Sequence, residues 1–171
     1  MNMNKKLFTA VLGAAVVGFG SYSVSIKAAS TTGNASADIV GAIGISESTP
    51  MRFGDIATTG AGTVVLDTAD GVTGDANNVP AGGLVSSADF AITGDNVGYT
   101  ITMPANINLT GPGTDMTIDT FTYLAEDAQT DGTGTIAGGN GTMTIGGTLN
   151  IGSPQTSGPY TGTYTITALY E

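Results

Sequence analysis

The chain has 171 residues, 14 of them acidic and four basic, with neither cysteine nor histidine. That composition removes thiol nucleophiles, Ser-His pairs, imidazole metal sites and disulfides. It also removes the basic footprint that nucleic acids and anionic membrane surfaces require.

The first element in chain order is a targeting segment. "MNMNKK" is basic, "LFTAVLGAAVVGFG" is continuously apolar, and "SYSVSIKAAS" is small and polar. This order predicts a secretory signal peptide over residues 1–29, cleaved close to Ala28, Ala29 or Ser30. The apolar run is shorter than the roughly 20 residues of a membrane-spanning helix. No second apolar run follows, so no membrane span is expected after cleavage. Residues 30–37 ("STTGNASA") read as a flexible polar arm, and residues 38–171 as one domain. Lys5, Lys6 and Lys27 leave with the signal, so Arg52 alone opposes 14 carboxylates, a formal charge of −13. Such a chain is self-repelling and suited to an exported, soluble life.

From residue 38 onward the period is two, the signature of half-buried strands. "DIVGAIGIS" puts Ile39, Gly41, Ile43 and Ile45 on one face. "GTVVLD" pairs Val64 with Leu66, and "DFAIT" pairs Phe90 with Ile92. "VGYTITM" aligns Val97, Tyr99, Ile101 and Met103. "MTIDTFTY" changes phase between Ile118 and Phe121, which predicts a bulge or bend. "GTMTIGGTLNI" aligns Met143, Ile145, Gly147, Leu149 and Ile151. The closing "YTGTYTITALY" sets Tyr160, Gly162, Tyr164, Ile166, Ala168 and Tyr170 against a row of threonines, as one long strand. "DTADGVTGDANNVPAGG" and "AEDAQTDGTGTIAGGNG" read as long turn-rich loops. The expectation is an all-β, immunoglobulin-like or pilin-like sandwich of seven to nine strands.

Little chemistry remains open to such a chain. Paired carboxylates can hydrolyse glycosides, but tryptophan is absent and the tyrosines fall mainly on strand faces. No enzymatic activity and no cofactor are expected. Asp67, Asp70 and Asp75 form a weak calcium candidate. They lack the glutamate that closes a twelve-residue calcium loop, and the competing reading is a solvated loop in which aspartates stabilise turns.

Four stretches carry a resemblance: "MRFGDI", "DFAITGDNVGYTITMPANINLTG", "GTMTIGGTLNIG" and "GPYTGTYTITALYE". Together they resemble the secreted bacterial proteins of domain-of-unknown-function family 4402, over roughly Asp38 to Glu171. More distantly the chain is similar to spore-coat-U-like and archaic chaperone-usher pilus subunits, which usually carry a disulfide that this chain lacks. In those subunits a neighbour's N-terminal strand completes an unfinished sandwich. The resemblance implies a location in the periplasm, at the cell surface or in a filament. It implies other subunits, or further copies of this chain, as partners, and a periplasmic chaperone.

The same resemblance implies that the terminal strand flanks an open groove, with a Tyr next to last and a Gly fourteenth from the end. Tyr170 and Gly158 match those positions, and Tyr164 and Ile166 lie between them. Ile39, Gly41, Ile43 and Ile45 are then either the strand given to a neighbour or the first strand of their own domain. Two functions stay open: a structural subunit assembling by strand complementation, and a self-complete monomeric module that binds a carbohydrate or a surface protein.

Overall fold

A computed structural model describes residues 27–171. Nearly all of the expected signal peptide therefore lies outside the described residues. Residues 38–171 form one compact unit. It is a β-sandwich, with no helix among the described residues. Twelve strands follow one another: β1 (Gly44–Thr49), β2 (Arg52–Thr58), β3 (Gly62–Leu66), β4 (Val72–Gly74), β5 (Asn78–Ser86), β6 (Ala88–Thr93), β7 (Gly98–Thr102), β8 (Ile107–Leu109), β9 (Met116–Ala125), β10 (Thr133–Thr135), β11 (Asn140–Ile151) and β12 (Thr167–Tyr170).

The count exceeds the expected seven to nine because stretches that read as loops contribute pairing. β4 and β5 lie in "DTADGVTGDANNVPAGG", and β10 lies in the second glycine-rich stretch. Pro80, Gly82 and Gly83 lower the strand propensity of β5, but β2 supplies a partner ladder from Arg52↔Ser86 to Thr58↔Asn78. Tertiary pairing overrides local preference there.

The largest sheet is organised by β11. One of its edges pairs with β6 over Asn140–Ile145 and then with β3 over Gly147–Ile151. The other edge pairs with β9, which carries β8. β1 closes the sheet beside β6, and β4 closes it beside β3. A three-stranded sheet, β10-β7-β12, and a two-stranded ladder, β2-β5, complete the domain.

The inward positions are those the alternation indicates. Val64, Leu66, Ile92, Met143 and Ile145 are wholly buried, and Tyr99, Ile101 and Leu149 nearly so. The phase change in β9 is a β-bulge. Two residues, Thr120 and Phe121, stand opposite Gly147 alone, and Thr120 has φ 50°. The buried set therefore switches from Met116 and Ile118 to the odd-numbered Ala125, with Phe121 and Tyr123 half-buried.

Two expected strands are shorter in the structure. The first begins at Gly44, so Asp38–Ile43 stands outside any sheet. The last is Thr167–Tyr170 alone, because among the described residues no strand lies beside Gly162–Ile166. Alternation shows which face a strand would bury, but a sheet also needs a neighbour to accept its hydrogen bonds.

The facing in β3 is directly testable. Leu66→Ala should lower the unfolding free energy in urea by about 2–5 kcal/mol. Val65→Ala, on the outer face of the same strand, should change it by less than about 0.5 kcal/mol. Equal losses would overturn this facing, and a larger loss at Val65 would show that the strand is inverted.

Candidate strand-acceptor site

The end of the chain is held firmly. β12 pairs antiparallel with β7 from Thr167↔Thr102 to Tyr170↔Tyr99. The Glu171 amide donates to the Gly98 carbonyl at 3.1 Å, and Thr100 Oγ1 donates to the Glu171 carboxylate at 2.8 Å. The Tyr170 hydroxyl accepts from the Asp95 amide at 2.9 Å. Gly94 packs beside it, and a Cβ there would push that hydroxyl aside.

The segment leading to β12 is different. Between Gly152 and Ile166 the one backbone–backbone pairing among the described residues is Thr161 with Thr110, both ways at 2.8 and 2.9 Å. Thr163 and Thr165 are exposed, while Tyr164 and Ile166 are half-buried against the core. Tyr164 lays its ring edge-on against Phe90, 6.5 Å between centroids, and its hydroxyl donates to Glu47 Oε1 on β1 at 3.0 Å. Burial, reinforced by the Glu47 carboxylate, pushes the Tyr164 hydroxyl pKa well above the usual phenol value. Gly158 sits in the preceding loop with φ 146°, where a Cβ would come 2.6 Å from the Pro112 ring. It belongs to no strand; a side chain there would meet both strain and a clash.

Alongside this segment runs an open cleft of about 1080 Å³. β2 forms one wall and residues 155–162 the other; Leu109, Met116, Ile118, Leu149 and Ile151 contribute apolar floor. β2 has β5 on one edge and, among the described residues, no strand on the other; Leu84 of β5 also lines the cleft. A smaller pocket of 280 Å³ prolongs the cleft through Pro50, Met51 and Gly162 to Phe90, Tyr164 and Ile166. Two walls, their main chain unpaired on the cleft side except at the Thr110–Thr161 bridge, thus stand above a floor of half-buried Leu109 and buried Met116, Ile118, Leu149 and Ile151. In the cleft wall, Gln155 Nε2 is buried with no hydrogen-bond partner.

The N-terminal candidates divide. Ile45 pairs with Ile92 across β1 and β6, and Ile43 packs half-buried on the core. Ile39 is 97% exposed and Val40 is about half exposed. Between them and β1, the Gly41 amide donates to Asp95 Oδ2 at 2.6 Å. So Ile43 and Ile45 serve their own domain, while Ile39 is free. β2, which forms a cleft wall, could not be singled out from sequence; its signal was the Pro50 break followed by Phe53 alone on the buried face.

A family model described as "Domain of unknown function (DUF4402)" matches residues 43–170. The chain belongs to that family. No curated protein and no solved structure matches it. The matched span runs from Ile43, just before β1, to Tyr170, and so takes in both walls of the cleft.

Asp67, Asp70 and Asp75 are not brought together. Asp67 Oδ1 accepts from the Ala69 and Gly71 amides at 2.8 and 2.7 Å, closing its own turn. Asp70 Oδ1 accepts from the amide and hydroxyl of Ser87 at 2.6 and 2.8 Å. Asp75 accepts from the amides of Thr63, Asn77 and Asn78 and from the Asn78 side chain. No group of three metal-ligating side chains exists among the described residues. These aspartates work as turn and cross-loop acceptors.

Hydrogen bonds to the charged form hold two of them below the ordinary aspartate pKa: for Asp70 from the Ser87 amide and then its hydroxyl, for Asp75 chiefly from the Thr63 amide. A carboxylate with a lowered folded pKa contributes stability above its unfolded value of about 3.9 and loses it as pH falls through the folded value. The urea midpoint should therefore hold from pH 7 to about 5 and fall below about 4. Asp70→Asn should be less stable than wild type at pH 7, and the difference should close at pH 2. A difference that persists unchanged in acid would show that the charge of Asp70 contributes nothing.

Proposed function

We propose that the protein is an exported, non-enzymatic structural subunit of a bacterial surface filament or coat, which assembles when a strand from a neighbouring subunit is laid into the cleft beside β2. One observation carries this reading: apart from the Thr110–Thr161 bridge, the cleft has unpaired main chain on both walls above an apolar floor. Soluble proteins ordinarily cover, charge or shorten such edges, because an open one recruits further strands. An added strand would gain main-chain hydrogen bonds from the walls and bury alternate side chains in the floor. The free arm supplies a suitable chain, with Ile39 almost fully in water. A periplasmic chaperone would have the same edges to protect before assembly. The second reading, a monomeric binding module, draws support from β1, which pairs within its own sheet; in that case a ligand occupies the cleft.

The exported chain should run as a ladder of oligomers in gel filtration and in native gels. A variant lacking residues 30–43 keeps β1 and should stay folded by circular dichroism, yet remain monomeric and bind a synthetic peptide of residues 36–44. A full chain that stays monomeric at high concentration would favour the binding module.

A further inference from the structure

Arg52 is the only basic side chain beyond residue 27. It is exposed at the start of β2, on the wall of the cleft. Asp55, three residues further along the same wall, has the opposite sign. Glu47 lines the smaller pocket that prolongs the cleft, so Arg52 is a single positive point between two carboxylates on a molecule that is otherwise acidic. Whatever chain enters is drawn by its carboxylate towards Arg52 and kept from Asp55.

Residues 30–43 contain a single charged side chain, Asp38. It directly precedes Ile39, the most exposed large apolar residue, and Val40. The remaining carboxylates lie within the folded domain. Asp38 is thus the one acid carried on a free arm next to apolar groups in need of burial.

The arm is also placed to serve another copy rather than its own cleft. The Gly41–Asp95 hydrogen bond fixes it at the β6–β7 turn, where β1 begins at Gly44↔Thr93. The larger cleft starts at Pro50, beyond the other end of β1, and its smaller extension reaches back to Glu47 near that same end. Six strand residues separate the two ends, roughly 20 Å. One end of β1 gives, the other receives, and the contact is head-to-tail.

We propose that Arg52 pairs with Asp38 of a second copy and so sets the register in which that copy's arm lies in the cleft, with Ile39 over the apolar floor. This rests on the strand-addition reading above. In a molecule of such net charge, a misregistered arm would place Asp38 against Asp55 and lose both the pair and the fit.

The test is a charge exchange in the exported chain. Arg52→Asp and Asp38→Arg, each alone, set like charges at every junction and should raise the concentration needed for oligomers by about tenfold or more. Both sites are exposed, so circular dichroism melts should match wild type. Mixing the two variants restores an opposite pair at every junction between unlike chains, and should regenerate the ladder with the two chains in equal amounts. The double variant should also assemble alone. Wild type that never assembles would sink the strand-addition reading itself. Wild type and both single variants assembling equally would overturn the Arg52–Asp38 pair and leave strand addition standing. Single variants that fail, with neither the mixture nor the double variant rescued, would show that the two residues act separately, which also overturns the pair.

Discussion

The structure depends on the passage of β11 through the middle of its sheet at Gly146 and Gly147. One edge of the strand changes partner there, from β6 to β3. The other edge meets the bulge of β9. A Cβ on Gly146 would collide with the Leu66 carbonyl, and one on Gly147 would come 3.0 Å from Ile118 and 3.2 Å from Phe121. Two glycines let three backbones approach, and the bulge opposite absorbs the change of register. With no disulfide available, this junction joins the strands that supply most of the buried side chains.

The lean core explains why the edges matter. Buried apolar residues come mainly from β3, β6, β7, β9 and β11, and β2 supplies only Phe53. The β2-β5 ladder is therefore tied to the rest through few buried groups, and the cleft opens between it and the buried Met116, Ile118, Leu149 and Ile151. An added strand would join the β2 wall to the terminal segment. The strong negative charge fits such a design: it keeps copies apart unless a specific contact outweighs the repulsion, which restrains edge-to-edge aggregation.

Much of the sandwich was legible from alternation because facing is a local property. Tyr99, Ile101, Met143, Ile145 and Leu149 fall where the period of two puts them, and even the β9 bulge shows as a change of phase at Ile118. Partners are not local. The Tyr160–Tyr170 alternation is real, with Tyr164 and Ile166 turned inward and the threonines outward, but only Thr167–Tyr170 finds a ladder. β5 went unseen for the opposite reason: proline and glycine hide a strand that its partner nevertheless accepts. The cleft lies between elements far apart in sequence, around residues 50–58 and 155–162, so no window of the chain displays it. Asp70 illustrates the same limit, since its partner Ser87 is 17 residues away.

The short terminal strand and the arm are two sides of one arrangement. Asp95 meets both: its amide serves the Tyr170 hydroxyl and its carboxylate holds the Gly41 amide. The corner that fixes the last strand also fixes where the arm departs. Pinning Tyr170 and Glu171 keeps the terminal segment extended although among the described residues no strand lies beside Thr163–Ile166, and an extended, pre-ordered edge costs less entropy to complete than a disordered one. An arm leaving from that corner and a cleft opening beyond Pro50 are different surfaces of the same molecule. A contact between different surfaces repeats without using itself up, and where its rotation does not close into a ring it generates a filament. The polarity of β1, with the arm at one end and the cleft at the other, is thus what would turn an open edge from an aggregation hazard into a directional joint.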